Sequence, residues 1–202
     1  MIGIELFNLK DRRLPVDMGE KARNLAWMIK YGLPVPPSFV LPFAAQELLR
    51  ENIDEYRHQL FQLLSRYLKP DCAYAVRSSA SVEDGQQHSF AGQFNTLLNV
   101  RGIENVLVAI EQLLAGDGSD MLTAYLQQTE NQAADHKLAV IIQEMVTPLI
   151  SGVAFSTNPV TGLDEVIVEA VLGSGEKLVQ EGQTPYRWVK KWGKWTYQPE
   201  QC

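Results

Sequence analysis

The stretch AVRSSASVED, residues 75–84, follows a strand predicted over residues 72–77 and brings an arginine and three serines together. Arg77 stands at the expected strand end, and the serines follow at residues 78–81 among small residues. A strand-end arginine suits a phosphate, because its planar guanidinium matches two oxygens at once. A turn in which Arg77 pairs with the acidic residues 83–84 explains the same stretch equally well, so both interpretations stay open.

A second candidate segment is Asp-Met-Gly-Glu-Lys, residues 17–21, which leads into a helix predicted over residues 21–31 by apolar residues at helical spacing. Lys21 would lie beside the helix N-terminal amides, an arrangement that attracts a phosphate. Alternatively, Asp17 caps the helix, Glu20 completes a capping box and Lys21 is solvated. The local pattern alone favours this second interpretation.

Two further segments combine small or polar residues with strand ends. In residues 89–96, Gly92 would let the backbone approach a ligand and Thr96 would lie on a strand; a hairpin arm with a glycine bulge is the alternative. The strand predicted over residues 138–145 is apolar and turns polar at its end. Such an end offers the apolar slot and backbone hydrogen bonds that an adenine ring needs, although it is also what a core strand running into solvent looks like.

The remaining pattern predicts an α+β fold rather than a regular βαβ winding. Helices are predicted over residues 42–50, 53–68, 103–114 and 121–128, and strands over 94–100, 151–156, 165–171 and a hairpin of 186–190 with 194–198 that turns at Gly193. We expect one domain over residues 1–202, with subdomain boundaries conceivable near residues 70 and 130.

Composition excludes several classes of protein. The 202 residues include 18 basic and 24 acidic side chains, and the net charge of −6 argues against a nucleic-acid-binding protein. No wholly apolar run exceeds five residues, whereas a membrane span needs about 20, so we expect no membrane partner and a cytoplasmic location. The two cysteines, Cys72 and Cys202, have no metal-ligand spacing with any histidine, so no metal site is predicted. We interpret the three histidines, His58, His88 and His136, as surface residues.

In order and spacing, these segments resemble the N-terminal nucleotide-binding domain of the phosphoenolpyruvate synthase and pyruvate phosphate dikinase group, which has an ATP-grasp fold and also occurs in rifampin phosphotransferases. Residues 19–25, Gly-Glu-Lys-Ala-Arg-Asn-Leu, are similar to the family's Gly-Gly-Lys-x-x-x-Leu start. Residues 75–84, 89–93 and 142–146, together with Ser-Gly-Val-Ala-Phe-Ser at 151–156, fit later motifs. The resemblance covers about residues 15–190.

The resemblance implies a set of nucleotide-binding residues: Lys21, Arg77, Gly92, Thr96, Gln143, Glu144 and Met145. The two cations would hold the ATP phosphates and serve as the catalytic residues, the glycine and threonine would belong to the loop above them, and the last three would border the adenine. ATP would come with Mg²⁺, whose ligands we expect outside this chain, because the family's acidic Asp-Ile-Glu-Trp segment and Gln-x-Arg-Pro strand have no counterpart. Glu20 replaces the family's second glycine and brings an acid close to the phosphates.

The resemblance therefore implies the ATP-binding portion of a phosphoenolpyruvate synthase-like kinase or phosphotransferase, an ATP-grasp domain incomplete at its C-terminal side. It would pass a phosphoryl group to a histidine on a separate domain, and this chain alone would have weak activity or none. The alternative is a non-catalytic nucleotide-binding or interaction module. Expected partners are ATP, the remainder of the ATP-grasp domain and a phosphohistidine domain, in cis or on another chain, and a second copy through open strand edges. The phosphoryl acceptor cannot be read from these residues.

Overall fold

The computed structural model describes residues 3–51, 53–80, 96–115, 137–175 and 184–199. Their secondary structure, in chain order, is β1 (Phe7–Asn8), α1 (Gly19–Lys30), β2 (Ser38–Leu41), α2 (Phe43–Glu51), α3 (Ile53–Tyr67), β3 (Ala73–Ala80), β4 (Thr96–Arg101), α4 (Ile103–Ala115), β5 (Leu138–Glu144), β6 (Ile150–Phe155), β7 (Val166–Leu172), β8 (Tyr186–Lys191) and β9 (Lys194–Tyr197). Sheets and helices are mixed as the sequence predicts, which confirms the α+β class.

The chain divides into two compact units, Met1–Met145 and Val146–Cys202. The sequence placed conceivable boundaries near residues 70 and 130 instead. Residue 70 joins α3 to β3 inside the first unit, and residue 130 lies outside the described residues, as does the helix predicted over 121–128. The assignment of residues 1–202 to one domain stays a prediction.

The first unit is built on a five-stranded antiparallel sheet in the order β1-β2-β5-β3-β4. Its central strand β5 is buried on both faces, which explains why its sequence begins with five consecutive apolar residues. Helices α2, α3 and α4 contribute to the larger core on one face, where Leu60, Leu64 and Ile110 pack with Val76 and Ile142.

Helix α1 covers the other face of this sheet. Its residue Ala22, fully buried, packs with Val40 of β2 and with Ala139 and Ile141 of β5. The sequence did not predict β1 or β2. Strand β2 has only four residues and directly follows a proline-rich stretch, too short a run for its alternation to be recognised.

Strand β3 is longer than predicted, which is a correction to the sequence analysis. It does not end at Arg77 but continues to Ala80, because it pairs with β5 from Tyr74 opposite Glu144 to Ala80 opposite Leu138. Ser78 and Ser79 are therefore buried ladder residues rather than the start of a turn. The acidic residues 83–84, the alternative partners of the arginine, lie outside the described residues.

The second unit contains a four-stranded antiparallel meander in the order β6-β7-β8-β9. The predicted hairpin is confirmed: β8 and β9 are joined at Trp192 and Gly193, whose φ angles of 48° and 77° are both positive, as a tight two-residue hairpin turn requires. Strand β6 lies at an edge of the described sheet and exposes Ile150, Val153 and Phe155.

The connection between β6 and β7 is held by one buried amide side chain. Asn158 Oδ1 accepts hydrogen bonds from the backbone N–H groups of Val160 and Thr161, at 3.0 and 3.1 Å, and its Nδ2 donates to Glu165 at 2.9 Å. Lys191 Nζ also binds the Glu165 carboxylate, at 3.1 Å. The bond from Asn158 and then the charge and bond of Lys191 lower the pKa of Glu165.

Within the described residues, no helix is long and apolar enough to span a membrane.

Ile142→Ala should destabilise the first unit by about 2 to 5 kcal/mol, because the side chain is 0% exposed on the central strand and its removal leaves a cavity. Urea unfolding followed by fluorescence measures the change. Leu98→Ala on β4 is the control, since that side chain is 40% exposed and should change stability far less. Equal losses from both variants would contradict the assigned core.

Glu165 should titrate below the ordinary range for a glutamate, because its charged form is the one that is hydrogen-bonded. Its contribution to stability is therefore present above the ordinary pKa and is lost as the pH falls through the lowered pKa of the folded state. Carboxyl NMR titration measures this. Asn158→Ala and Lys191→Met should each raise the midpoint. An ordinary midpoint in the unsubstituted protein would contradict the loop geometry.

Candidate functional site

The N-terminus of α1 rests directly on strand β3. The backbone N–H of Ala22 donates a buried hydrogen bond of 3.2 Å to Ser79 Oγ, across 57 residues of sequence. Gly19, the first residue of the helix, has φ +74° and lies so close to β3 that an added Cβ would sit 2.6 Å from the carbonyl carbon of Ser79. Only glycine allows both this conformation and this approach.

Lys21 is held against the same strand. Its Nζ donates to the carbonyl oxygen of Ser78 at 3.3 Å, and the side chain is half-buried. The capping alternative considered for this turn is wrong, because the N-cap residue is Met18, which makes no side-chain cap hydrogen bond. Glu20 instead pairs with Arg23 at 2.8 Å, one turn along the helix.

Arg77 lies on the face of the sheet that α1 covers. It stands directly opposite Ile141 of β5, which packs against Ala22, and directly opposite Thr96 of β4. Directly paired residues of antiparallel strands share a face, so Arg77 and Thr96 are neighbours. The Nε atom of Arg77 is buried and has no hydrogen-bond partner in the described part of the chain.

A buried guanidinium N–H without an acceptor is costly, since such a donor normally finds a partner in the protein, in water or in a ligand. Across residues 3–51, 53–80, 96–115, 137–175 and 184–199 we find no carboxylate paired with Arg77. A polar donor in this position is equipped to receive an anionic ligand.

Gln143 lies on the same face at the end of β5. It stands opposite Ala75 of β3 and Ser38 of β2, and its Nε2 donates to Ser38 Oγ at 2.9 Å. Beyond it, the backbone N–H of Met145 donates to the carbonyl oxygen of Ala73 at 2.8 Å. This strand end is therefore tied into the sheet on both sides.

Glu144 faces the other way, because side chains alternate along a strand. Its carboxylate pairs with Lys69 Nζ at 2.9 Å, and this bond and charge raise the pKa of Lys69. The backbone N–H of Glu144 donates to the carbonyl oxygen of Pro37 at 2.9 Å. Tyr74, its partner on β3, has a raised pKa because burial disfavours the phenolate.

The structure thus brings four of the seven predicted residues to one face of the first sheet: Lys21, Arg77, Thr96 and Gln143. Glu144 sends its side chain to the opposite face, and Met145 follows the end of β5. Gly92 lies outside the described residues.

Sequence reasoning gave no role in the site to Gly19 or to the hydroxyl of Ser79, which join α1 to β3. No local signal could have found this pair, since the two residues are far apart in the chain and each alone looks like an ordinary turn residue.

The structure also describes histidine and cysteine side chains outside this site. His58 is exposed and hydrogen-bonded to Gln62 at 2.8 Å, as expected of a surface residue, whereas His88 and His136 lie outside the described residues. Cys72 is a half-buried free thiol. In the described part of the chain, no group of three or more His, Cys, Asp or Glu residues is arranged to hold a metal ion.

The chain is similar to a known protein family and to several curated proteins. Residues 44–196 match the family model described as the pyruvate phosphate dikinase AMP/ATP-binding domain. The chain is 33% identical to a phosphoenolpyruvate synthase of Aeropyrum pernix, over 85% of this chain and 26% of the relative. It is 32% identical to an uncharacterized phosphotransferase of Bacillus subtilis, over 83% of this chain and 22% of the relative. It is 43% identical to a rifampicin phosphotransferase of Bacillus cereus, over 53% of this chain and 12% of the relative.

The chain therefore spans only about a quarter, or less, of the length of these three relatives. The family model, by contrast, matches most of the chain, from α2 to β9. Together, the fold and these matches show that the chain belongs to the pyruvate phosphate dikinase AMP/ATP-binding domain family and has the ATP-grasp-like α+β fold of the ATP-binding domain in phosphoenolpyruvate synthase-like proteins.

Proposed function

We propose that this chain binds Mg-ATP as the nucleotide-binding part of a phosphotransferase and presents its terminal phosphoryl group to a histidine on a separate domain. The observation that carries the proposal is the buried Nε of Arg77, which has no partner in the described part of the chain. It lies on the face covered by α1, and the first turn of that helix carries Lys21. A phosphate group is the ligand whose charge and oxygen geometry fit this pair of cations.

Electrostatics supports phosphate binding despite the net charge of −6. A cation about 4 Å from a phosphate oxygen contributes roughly 4 kcal/mol of gross attraction at an effective dielectric constant near 20, before desolvation is subtracted. Lys21 and Arg77 would each contribute such a term, and the N-terminus of α1 adds partial positive charge from the same side. Local attraction therefore outweighs the repulsion from the chain as a whole.

We propose that the adenine lies at the end of β5, near Gln143 and Met145. The backbone N–H groups of Glu144 and Met145 already donate to Pro37 and Ala73, so they do not supply hydrogen bonds to the ring. Recognition would instead use backbone carbonyls and the Gln143 side chain, whose amide now donates to Ser38. The Glu144 carboxylate stays with Lys69 on the opposite face.

ATP supplies the transferable phosphoryl group, and the residues of this chain position it. Arg77 and Lys21 would hold phosphate oxygens and neutralise their charge, which is most of what phosphoryl transfer requires of a protein. Thr96, directly opposite Arg77, would lie beside the same phosphates. The relatives named phosphoenolpyruvate synthase and rifampicin phosphotransferase support a phosphotransferase role for the longer protein.

Arg77→Ala should weaken Mg-ATP binding by about 10- to 100-fold, because a charge-assisted hydrogen bond to a phosphate contributes roughly 1.5 to 3 kcal/mol. Isothermal titration calorimetry measures the affinity. Arg66→Ala is the matched control, since that arginine lies on α3 beside Tyr67, on the opposite side of the sheet. Identical heats from the unsubstituted protein and Arg77→Ala would remove the assigned phosphate site.

Glu20→Gln should strengthen Mg-ATP binding about two- to fivefold, because it removes a negative charge from the first turn of α1, as expected of a single exposed charge near a helix terminus. Arg23→Gln should do the opposite, since it leaves the Glu20 carboxylate without its partner. Both effects should shrink as ionic strength rises. An unchanged affinity in both variants would place the phosphates away from the N-terminus of α1.

A further inference from the structure

We propose that Ser79 is a positioning residue for phosphate binding: its hydroxyl ties the first turn of α1 to strand β3 and so fixes Lys21 relative to Arg77. This inference rests on the function proposed above. It concerns a contact within the protein, between Ser79 Oγ and the backbone N–H of Ala22.

The start of α1 is tied to the sheet by a hydrogen bond from outside the helix. Its N-cap residue, Met18, makes no side-chain cap hydrogen bond, and Glu20 points to Arg23 instead of closing a capping box. Ala22 is the fourth residue of the helix, and in a regular helix its N–H donates to the carbonyl oxygen of the N-cap residue. Here it donates to the Ser79 hydroxyl, on a residue that is 0% exposed.

Close packing reinforces this hydrogen bond. Gly19 has φ +74°, and an added Cβ would overlap the hydroxyl and the carbonyl group of Ser79. The helix start can therefore lie at this depth only with a glycine on one side and a small residue on the other. Ala22, the residue whose N–H donates to Ser79, is itself fully buried on the same sheet face.

The positions of both cations, Arg77 and Lys21, are set by strand β3. Arg77 is part of β3, and Lys21 Nζ donates to the carbonyl oxygen of Ser78, the next residue. Residue 79 is two positions beyond Arg77 and faces the same side. The distance between the two cations is thus set by how α1 docks on β3, and a shift of about 1 Å is enough to weaken a site that holds a phosphate between them.

Ser78 provides a matched control next to Ser79. It is 3% exposed, and its Oγ has no hydrogen-bond partner in the described part of the chain. It stands opposite Val140, whose side chain belongs to the core on the face away from α1. Ser78→Ala and Ser79→Ala are therefore the same chemical change at neighbouring buried positions of one strand, and only the second removes a hydrogen bond to α1.

The experiment compares Mg-ATP and inorganic tripolyphosphate binding by calorimetry for the unsubstituted chain and both variants. Ser79→Ala should weaken the binding of both ligands by about 5- to 10-fold, in line with the loss of one buried hydrogen bond, whereas Ser78→Ala should stay within about twofold. In a Lys21→Met background, Ser79→Ala should change the affinity less than about twofold, because residues that act through one another are not additive. A purely structural role would give additive losses.

Hydrogen exchange of the Ala22 amide gives a second measurement that needs no ligand. In the unsubstituted chain this amide should exchange at least about tenfold more slowly than a solvent-exposed helix-terminal amide, and Ser79→Ala should reduce the difference whereas Ser78→Ala should not. Rapid exchange in the unsubstituted chain would overturn the proposal even if Ser79→Ala failed to fold.

The outcomes separate the two proposals. If the unsubstituted chain binds Mg-ATP and Ser79→Ala binds as tightly as Ser78→Ala, the positioning role fails and the nucleotide site stands. If the effects of Ser79→Ala and Lys21→Met add fully, Ser79 does not act through Lys21 and the proposal is likewise wrong. If the unsubstituted chain binds neither ligand, the proposed function fails and the positioning role falls with it, whether or not the Ala22 amide is protected.

Discussion

The antiparallel pairing of β3 with β5 is the constraint on which the first unit and its candidate site depend. It runs from Tyr74 opposite Glu144 to Ala80 opposite Leu138, through the centre of the sheet. This register fixes which side chains of β3 point to which face. Arg77 and Ser79 lie on the face that α1 covers, whereas Ser78 lies on the face of the larger core. A shift of one residue would bury the guanidinium among aliphatic side chains and take the hydroxyl away from the helix.

The register of β3 on β5 places the charged Arg77 on a covered face of the sheet, where burial disfavours a charged side chain. The Arg77 Nε is buried without a partner in the described residues, and the chain as a whole is negatively charged. An isolated buried donor destabilises the fold, so a group of this kind requires a partner such as a water molecule or a ligand. The acid on α1, Glu20, pairs with Arg23 at 2.8 Å, one turn further along the helix.

Much of the fold could be predicted from sequence because its signals are local. Apolar residues at helical spacing predict the helices around residues 19–30 and 53–67. The glycine at position 193 predicts the hairpin turn. The end of β3 was predicted wrongly because serines have low strand preference. They remain in the strand because β5 pairs with them and α1 covers one of them, and both causes lie far away in the chain.

The candidate site shows the same division between local and distant causes. Residue types alone could identify Lys21 and Arg77 as cations near small residues, but they left a capped helix and a phosphate site as alternatives. The structure rejects the local cap, since the N-cap residue is Met18, which makes no side-chain cap hydrogen bond, and Glu20 pairs with Arg23. The start of α1 is instead tied to β3, through Ser79 and through the bond of Lys21 Nζ to Ser78, and this brings both cations to one strand. The small residues at positions 19 and 79 are therefore constrained by packing and, if phosphate binds here, by the geometry of its site as well.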